Sequence, residues 1–173
     1  LVGENGAGKS TLARILAGIE RPDSGSILLD RQEVAGQPPA EARERGVRYV
    51  PQYPRLAENL SGWQNLILGD EPTRGLHVDR SRSLQRLEEC SKEYDIHVDL
   101  TGSPRTLTSG ERHFAALISA LIEDPTTVIL DEPTAVLTDD ESRRLYRVIR
   151  RLADEGRTVL LITHKLAELR EVA

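Results

Sequence analysis

Nine residues near the start carry the densest chemistry in the chain: Gly3-Glu4-Asn5-Gly6-Ala7-Gly8-Lys9-Ser10-Thr11. They fill the pattern G-x-x-x-x-G-K-[ST], a loop that cradles phosphates. Its glycines let the backbone curl until successive N–H groups converge on anionic oxygens. Lys9 then neutralises β- and γ-phosphates, and the Ser10 hydroxyl ligates Mg²⁺. The expected nucleotide contacts are therefore Asn5, Gly6, Ala7, Gly8, Lys9, Ser10 and Thr11. A second constellation, Asp131-Glu132, closes the hydrophobic run Thr127-Val128-Ile129-Leu130. An open α/β sheet keeps its ligand crevice at such a strand end. An Asp there can hold Mg²⁺ through its water shell, and a Glu pointing elsewhere can take a proton from an attacking water. An Asp-Glu pair alone would serve equally as an ordinary helix start. The phosphate loop decides for chemistry.

These groups need a rigid frame. Leu12, Ile15, Leu16 and Ile19 recur at the spacing of one helical face and predict a helix that starts inside the loop. Its dipole would aim at the same phosphates. Ser26 to Asp30 and Val47 to Val50 read as short strands; Pro38-Pro39 delays a helix over about 40–45, and Pro51-Gln52 closes the second strand. From about 56 to 106 the strand signal disappears, and Leu84, Leu87, Cys90 and Tyr94 mark a helical insertion. Strand signal returns at Thr127–Leu130. A helix follows with Thr138 or Asp139 as N-cap, a core face of Leu145, Val148, Ile149 and Leu152, and a stop at Gly156. Arg157 to Ile162 is another buried strand, delivering Thr163 and His164 at its end. Strand–helix–strand with apolar runs rather than alternation predicts an α/β fold, a parallel sheet covered on both faces.

At 173 residues, 38% hydrophobic and 29% charged, the chain is sized for one soluble globular domain. No run approaches the length of a membrane span, so a membrane role would come through partners. A net charge of -5 argues against a nucleic-acid surface. The single cysteine, Cys90, permits no internal disulfide and reads as a small buried hydrophobe. His77, His97 and His113 lie at no metal-ligand spacing and are expected as surface or hydrogen-bonded polar residues. Trp63 is expected to pack beneath the insertion. Only Leu1 and Val2 precede the phosphate loop, there is no Met, and the last helix stops at Ala173, which reads as an internal fragment truncated at both ends.

With these residues in place the chain resembles the nucleotide-binding domain of an ABC transporter. Pro51-Gln52 matches the Q-loop, Leu107-Thr108-Ser109-Gly110-Glu111-Arg112 the signature motif, and Leu130-Asp131-Glu132-Pro133-Thr134 the Walker B motif with its catalytic glutamate. Ala135-Val136-Leu137-Thr138 sits in the D-loop, and Thr163-His164 is the switch histidine. The resemblance implies a P-loop NTPase fold: a RecA-like core over 1–55 and 123–173, with a helical subdomain at about 56–122. It implies ATP and Mg²⁺ as ligands, with Ser10, Gln52 and Asp131 around the metal. Lys9, Gln52, Glu132 and His164 are the implied catalytic residues. It also implies a head-to-tail dimer in which Thr108, Ser109, Gly110 and Glu111 close the partner's ATP, the helix after Gly110 keeping its N-terminus and one side free.

Glu58-Asn59-Leu60, Leu66 to Pro72 and Asp131 to Thr138 narrow the likeness to the simple-sugar and nucleoside importer branch, as the first of two ATPase halves. The expected function is ATP hydrolysis that drives import of a small solute, at the cytoplasmic face of the membrane. The implied partners are a second ATPase half, transmembrane permease subunits and an extracytoplasmic solute-binding protein, with no nucleic acid. Rival readings are a soluble ABC ATPase acting on ribosomes or DNA, and a nucleotide-binding half with impaired hydrolysis. The last follows from Ser109, which replaces the first signature glycine. Two further departures are Thr108, which replaces the usual signature serine and keeps a hydroxyl, and Thr138, which stands where many D-loops have aspartate.

Overall fold

Three runs of β-branched and aliphatic residues become the strands of one parallel sheet. In the computed structural model the chain passes through α1 (Lys9–Leu16), a hairpin of β1 (Leu28–Leu29) and β2 (Gln32–Glu33), α2 (Pro39–Glu44) and β3 (Val47–Val50). Then come α3 (Gly62–Leu66), a second hairpin of β4 (Thr73–Arg74) and β5 (His77–Val78), α4 (Arg80–Glu93) and α5 (Ser109–Leu121). β6 (Thr127–Asp131), α6 (Asp139–Asp154) and β7 (Thr158–Ile162) follow. The structure describes residues 1–4, 6–29, 31–165, 168, 170 and 171.

The sheet order is β3-β6-β7, with Val50 opposite Leu130 and Asp131 opposite Ile162. Val2 forms a parallel bridge to Thr163, so the phosphate loop leaves beside β7. Because all these segments run the same way, Gly3, Gln52, Glu132 and His164 emerge at one edge of the sheet. Apolar runs appear in the strands because both faces are covered. Val47, Ile129 and Ile162 pack with Ala13 and Ala42 on one face; Val50, Val128, Leu130 and Leu161 join the larger core built on α3 to α6 on the other. Thr138 caps α6, accepting from the Glu141 amide, and Leu145, Val148, Ile149 and Leu152 are buried, as the periodicity predicts.

The first helix is rotated relative to the sequence expectation. Ala13 and Ala17 are buried, while Leu12 and Ile19 are 42% and 50% exposed. Ser10 must face the sheet to reach Asp131, and that contact fixes the rotation. Residues one and two turns later, Ala13 and Ala17, then lie against the strands, and their methyl groups permit close approach. The two hairpins were not foreseen because two-residue strands are too short to show alternation.

His113 also departs from expectation. His77 and His97 are exposed, but His113 is fully buried, and neither ring nitrogen finds a hydrogen-bond partner among the described residues. Burial alone pushes its pKa down to about 4. Trp63 is partly buried against the larger core, with the Arg80 guanidinium 5.8 Å from its ring centroid. Cys90 is buried as expected, and burial pushes its thiol pKa up to about 12. The thiolate is the reactive form, so Cys90 should resist a disulfide reagent at pH 8 in the native protein and react once unfolded. Peptide mass mapping of the label checks this; labelling of folded Cys90 at the unfolded rate would refute it.

Candidate active site

The phosphate loop takes its curl from Gly6 and Gly8, whose φ angles of +83° and +85° lie where a Cβ is disfavoured. Gly8 is the N-cap of α1, so the amides of the first turn face the space in front of it. The Lys9 side chain folds back, its Nζ donating to the carbonyls of Gly3 and Glu4 at 2.9 Å each. Two neutral acceptors hold the ammonium beside the loop, ready to be exchanged for charged phosphate oxygens. Asn5 lies outside the described residues.

Asp131 ends β6 with its carboxylate 3% exposed and two hydroxyls bound to it. Ser10 Oγ donates to Oδ1 at 2.9 Å, and Tyr49 Oη donates to Oδ2 at 3.0 Å. Tyr49 was not foreseen as a site residue; in sequence it is one member of a buried strand. Burial, then the charge and hydrogen bond of Asp131, hold its phenol above the usual range, with Arg14 opposing. A carboxylate, a hydroxyl and an amide oxygen at Asp131, Ser10 and Gln52 are the hard oxygen donors that suit Mg²⁺.

Glu132 sits at φ +44°, a left-handed conformation rare outside glycine. Its amide still donates to Ile162 O at 2.9 Å, so the turn happens just past the ladder. The turn swings the Glu132 carboxylate away from the Asp131 side and into the cavity, at a cost of about 1–3 kcal/mol. There Gln52 Nε2 donates to Oε2 at 3.2 Å, and His164 Nδ1 lies 3.1 Å from Oε1. Gly6, Gly8, Lys9, Ser10, Thr11, Gln52 and Glu132 line a cavity of about 330 Å³. Residues from three separate stretches thus surround a space of the kind a bound phosphate chain fills.

The signature residues stand apart from this cavity. Thr108 N-caps α5: its Oγ1 accepts from Glu111 N at 3.2 Å, and its own amide donates to Glu111 Oε2 at 2.8 Å. The expected free side of the helix is not free, since Gly110, His113 and Ala115 are buried along with Phe114, Leu117, Ile118 and Leu121. Its N-terminal amides are also partly capped from within by Glu111. The Glu141 carboxylate lies against Gly110 so closely that any Cβ there would collide with it. Thr108 and Ser109 remain exposed.

The family described as ABC transporter matches residues 1–135. The ribose import ATP-binding protein RbsA 1 of Streptomyces coelicolor is 38% identical over 98% of this chain and 34% of its own length. The arabinose import ATP-binding protein AraG of Chromohalobacter salexigens is 38% identical over 99% of this chain and 35% of its own. The chain therefore spans about a third of the length of these curated relatives. Among solved structures, a dimeric post-hydrolysis ATP-binding cassette bound to ADP and Pi superposes with a TM-score of 0.82. At 24% identity, over 98% of this chain and 75% of that one, it establishes the fold: that of an ATP-binding cassette.

Proposed function

This chain belongs to the ABC transporter family, and from that premise we propose that it binds and hydrolyses ATP to drive import of a small solute, a sugar or nucleoside. The convergence of Lys9, Ser10, Gln52, Asp131, Glu132 and His164 on one edge of the sheet carries the reading. The import ATP-binding relatives support the coupling to transport. Among the described residues no helix is long and apolar enough to cross a membrane. In this reading, permease subunits carry the work to the bilayer. The domain would dock on their cytoplasmic face, served by a solute-binding protein outside. The stretch 56–122 acts as a helical subdomain on a core made of 1–55 and 123–173.

The α- and β-phosphates enter the curl of Gly6 and Gly8, and Lys9 trades its two carbonyl partners for β- and γ-phosphate oxygens. Ser10 and Asp131 would hold Mg²⁺ with Gln52 beside them, and the ion supplies charge neutralisation on the phosphates. Glu132 takes the proton of a water that attacks the γ-phosphorus, releasing ADP and phosphate. His164 and Gln52 lie against the two oxygens of Glu132 and hold its carboxylate in place for that proton transfer. A second ATPase half closes the site with its own signature segment. In return Thr108–Glu111 of this chain closes the partner's. The carboxylates of Glu111 and Glu141 place negative charge at that segment.

The test is reconstitution of the full-length protein with its permease in vesicles, with ATP and labelled ribose, arabinose or a nucleoside. ATP-dependent accumulation of one of them is expected. Robust ATP hydrolysis with uptake of none would remove the sugar-importer reading and leave the ATPase standing.

A further inference from the structure

The buried Asp131 has two carboxylate oxygens and two hydroxyl donors, one on each. Ser10 comes from the phosphate loop, as the chemistry of the loop requires. Tyr49 comes from a different strand, and nothing in the phosphate or water chemistry calls for it. We propose that Tyr49 is a positioning residue for metal binding: its hydroxyl locks the Asp131 carboxylate plane so that the remaining lone pairs face the Mg²⁺ of Mg-ATP. The inference rests on the ATP-hydrolysing reading of the same cavity.

The geometry gives the reason. β3 and β6 pair with Tyr49 opposite Ile129, two residues short of Asp131. Side chains two apart point to the same face of a sheet, so Tyr49 and Asp131 share the α1 side. The phenol ring packs against the core of Ala13, Ala42, Val47, Ile129 and Ile162, which fixes its direction. Its oxygen then reaches forward to Oδ2 at 3.0 Å, a neutral O–H donating to a carboxylate. Ser10 can ligate a cation through an oxygen lone pair while its O–H still donates to Oδ1. The two hydroxyls therefore do not compete. With Oδ1 and Oδ2 each held, the carboxylate cannot rotate about its last torsion, and that is what an outer-shell partner contributes to a metal site. Lacking Tyr49, Oδ2 would be buried without this donor, and the carboxylate would turn to seek another.

The experiment is a Mg²⁺ titration of binding of a fluorescent ATP analogue to the full-length protein, wild type against Tyr49→Phe. The substitution keeps the packed ring and removes the donor. The Mg²⁺ midpoint should rise about tenfold or more. Affinity in EDTA should stay within about twofold, because the phosphate loop is untouched. Tyr49→Phe should add no further shift in an Asp131→Asn background, because it acts only through that carboxylate. An unchanged midpoint overturns the proposal. So does an equal loss with and without Mg²⁺, which would make Tyr49 a packing residue only. Should Tyr49→Phe fail to fold by circular dichroism, Tyr49→Met also lacks the hydroxyl and is read by the same criteria. A wild-type protein that binds no nucleotide under any Mg²⁺ overturns the underlying ATPase assignment together with this one. Mg²⁺-dependent wild-type binding that ignores the loss of the hydroxyl overturns Tyr49 alone.

Discussion

Glu132→Gln in the full-length assembly should bind Mg-ATP as tightly as wild type and turn it over about 100-fold to 10,000-fold more slowly, the usual range for loss of a positioned general base. The substitution is nearly isosteric, so the Gly6, Gly8 and Lys9 contacts that carry binding should survive. What disappears is the basic oxygen. A Gln amide offers an oxygen too weakly basic to take the proton, and its NH₂ would face the Gln52 Nε2 donor or turn away from it. The backbone at φ +44° is set by the turn into Pro133 and does not depend on the side-chain charge. Binding by a fluorescent analogue and phosphate release from the same preparation separate the two effects. Turnover equal to wild type would falsify Glu132 as the base. Weakened binding with proportionate turnover would make it a ligand to the nucleotide instead.

The site was legible wherever chemistry imposes a local pattern. A phosphate loop needs glycines at fixed offsets, so Gly6, Gly8, Lys9 and Ser10 announce themselves, and a strand that ends in Asp131-Glu132 carries its own signature of an apolar run closed by charge. Gln52 and His164 were readable through the family resemblance, each lying two positions past the end of a strand. Tyr49 was not, since its role exists only once β3 lies beside β6, and a cross-strand hydrogen bond leaves no trace in spacing. The rotation of α1 failed for a related reason. Periodicity counted the large apolar residues Leu12 and Ile19, but the loop chemistry at Ser10 outranks their burial. On α5 burial takes in Gly110, His113 and Ala115 as well as the large apolar residues, leaving only a narrow half-buried side at Arg112, Ala116 and Ser119, so a histidine there read as a surface or hydrogen-bonded residue. The signature helix shows a further limit. Glu111 matches the family pattern roughly, yet its capping of the Thr108 amide emerges only from the folded helix start.

His113 should make the native state acid-labile in a window where most carboxylates are still ionised. Its nitrogens are buried without a partner among the described residues, and its pKa falls from 6.5 to about 4 through burial alone. Between those values the unfolded chain carries a proton on this residue and the native state does not. Stability therefore rises with pH across the window: it is complete above about 6.5 and lost as pH falls towards 4. The largest loss is on the order of 3 kcal/mol, a substantial part of a domain's total stability. Carboxylates held low, such as Glu155 and Asp99, are nearly exposed and act mainly below this range. Urea unfolding from pH 7.5 to pH 4.5 should show wild-type stability falling steadily, and His113→Leu much less so. The apolar replacement should also match or exceed wild type at pH 7, because it removes two buried polar atoms that gain nothing from the fold. Parallel pH slopes in the two proteins would show that a hydrogen bond or a charge not seen here satisfies the ring. His113 lies one turn beyond Ser109–Gly110, and its protonation would force the ring out of the core and drag on the start of α5. In the proposed assembly, nucleotide-driven pairing of the two ATPase halves should then weaken as pH falls towards 4, and His113→Leu should restore it.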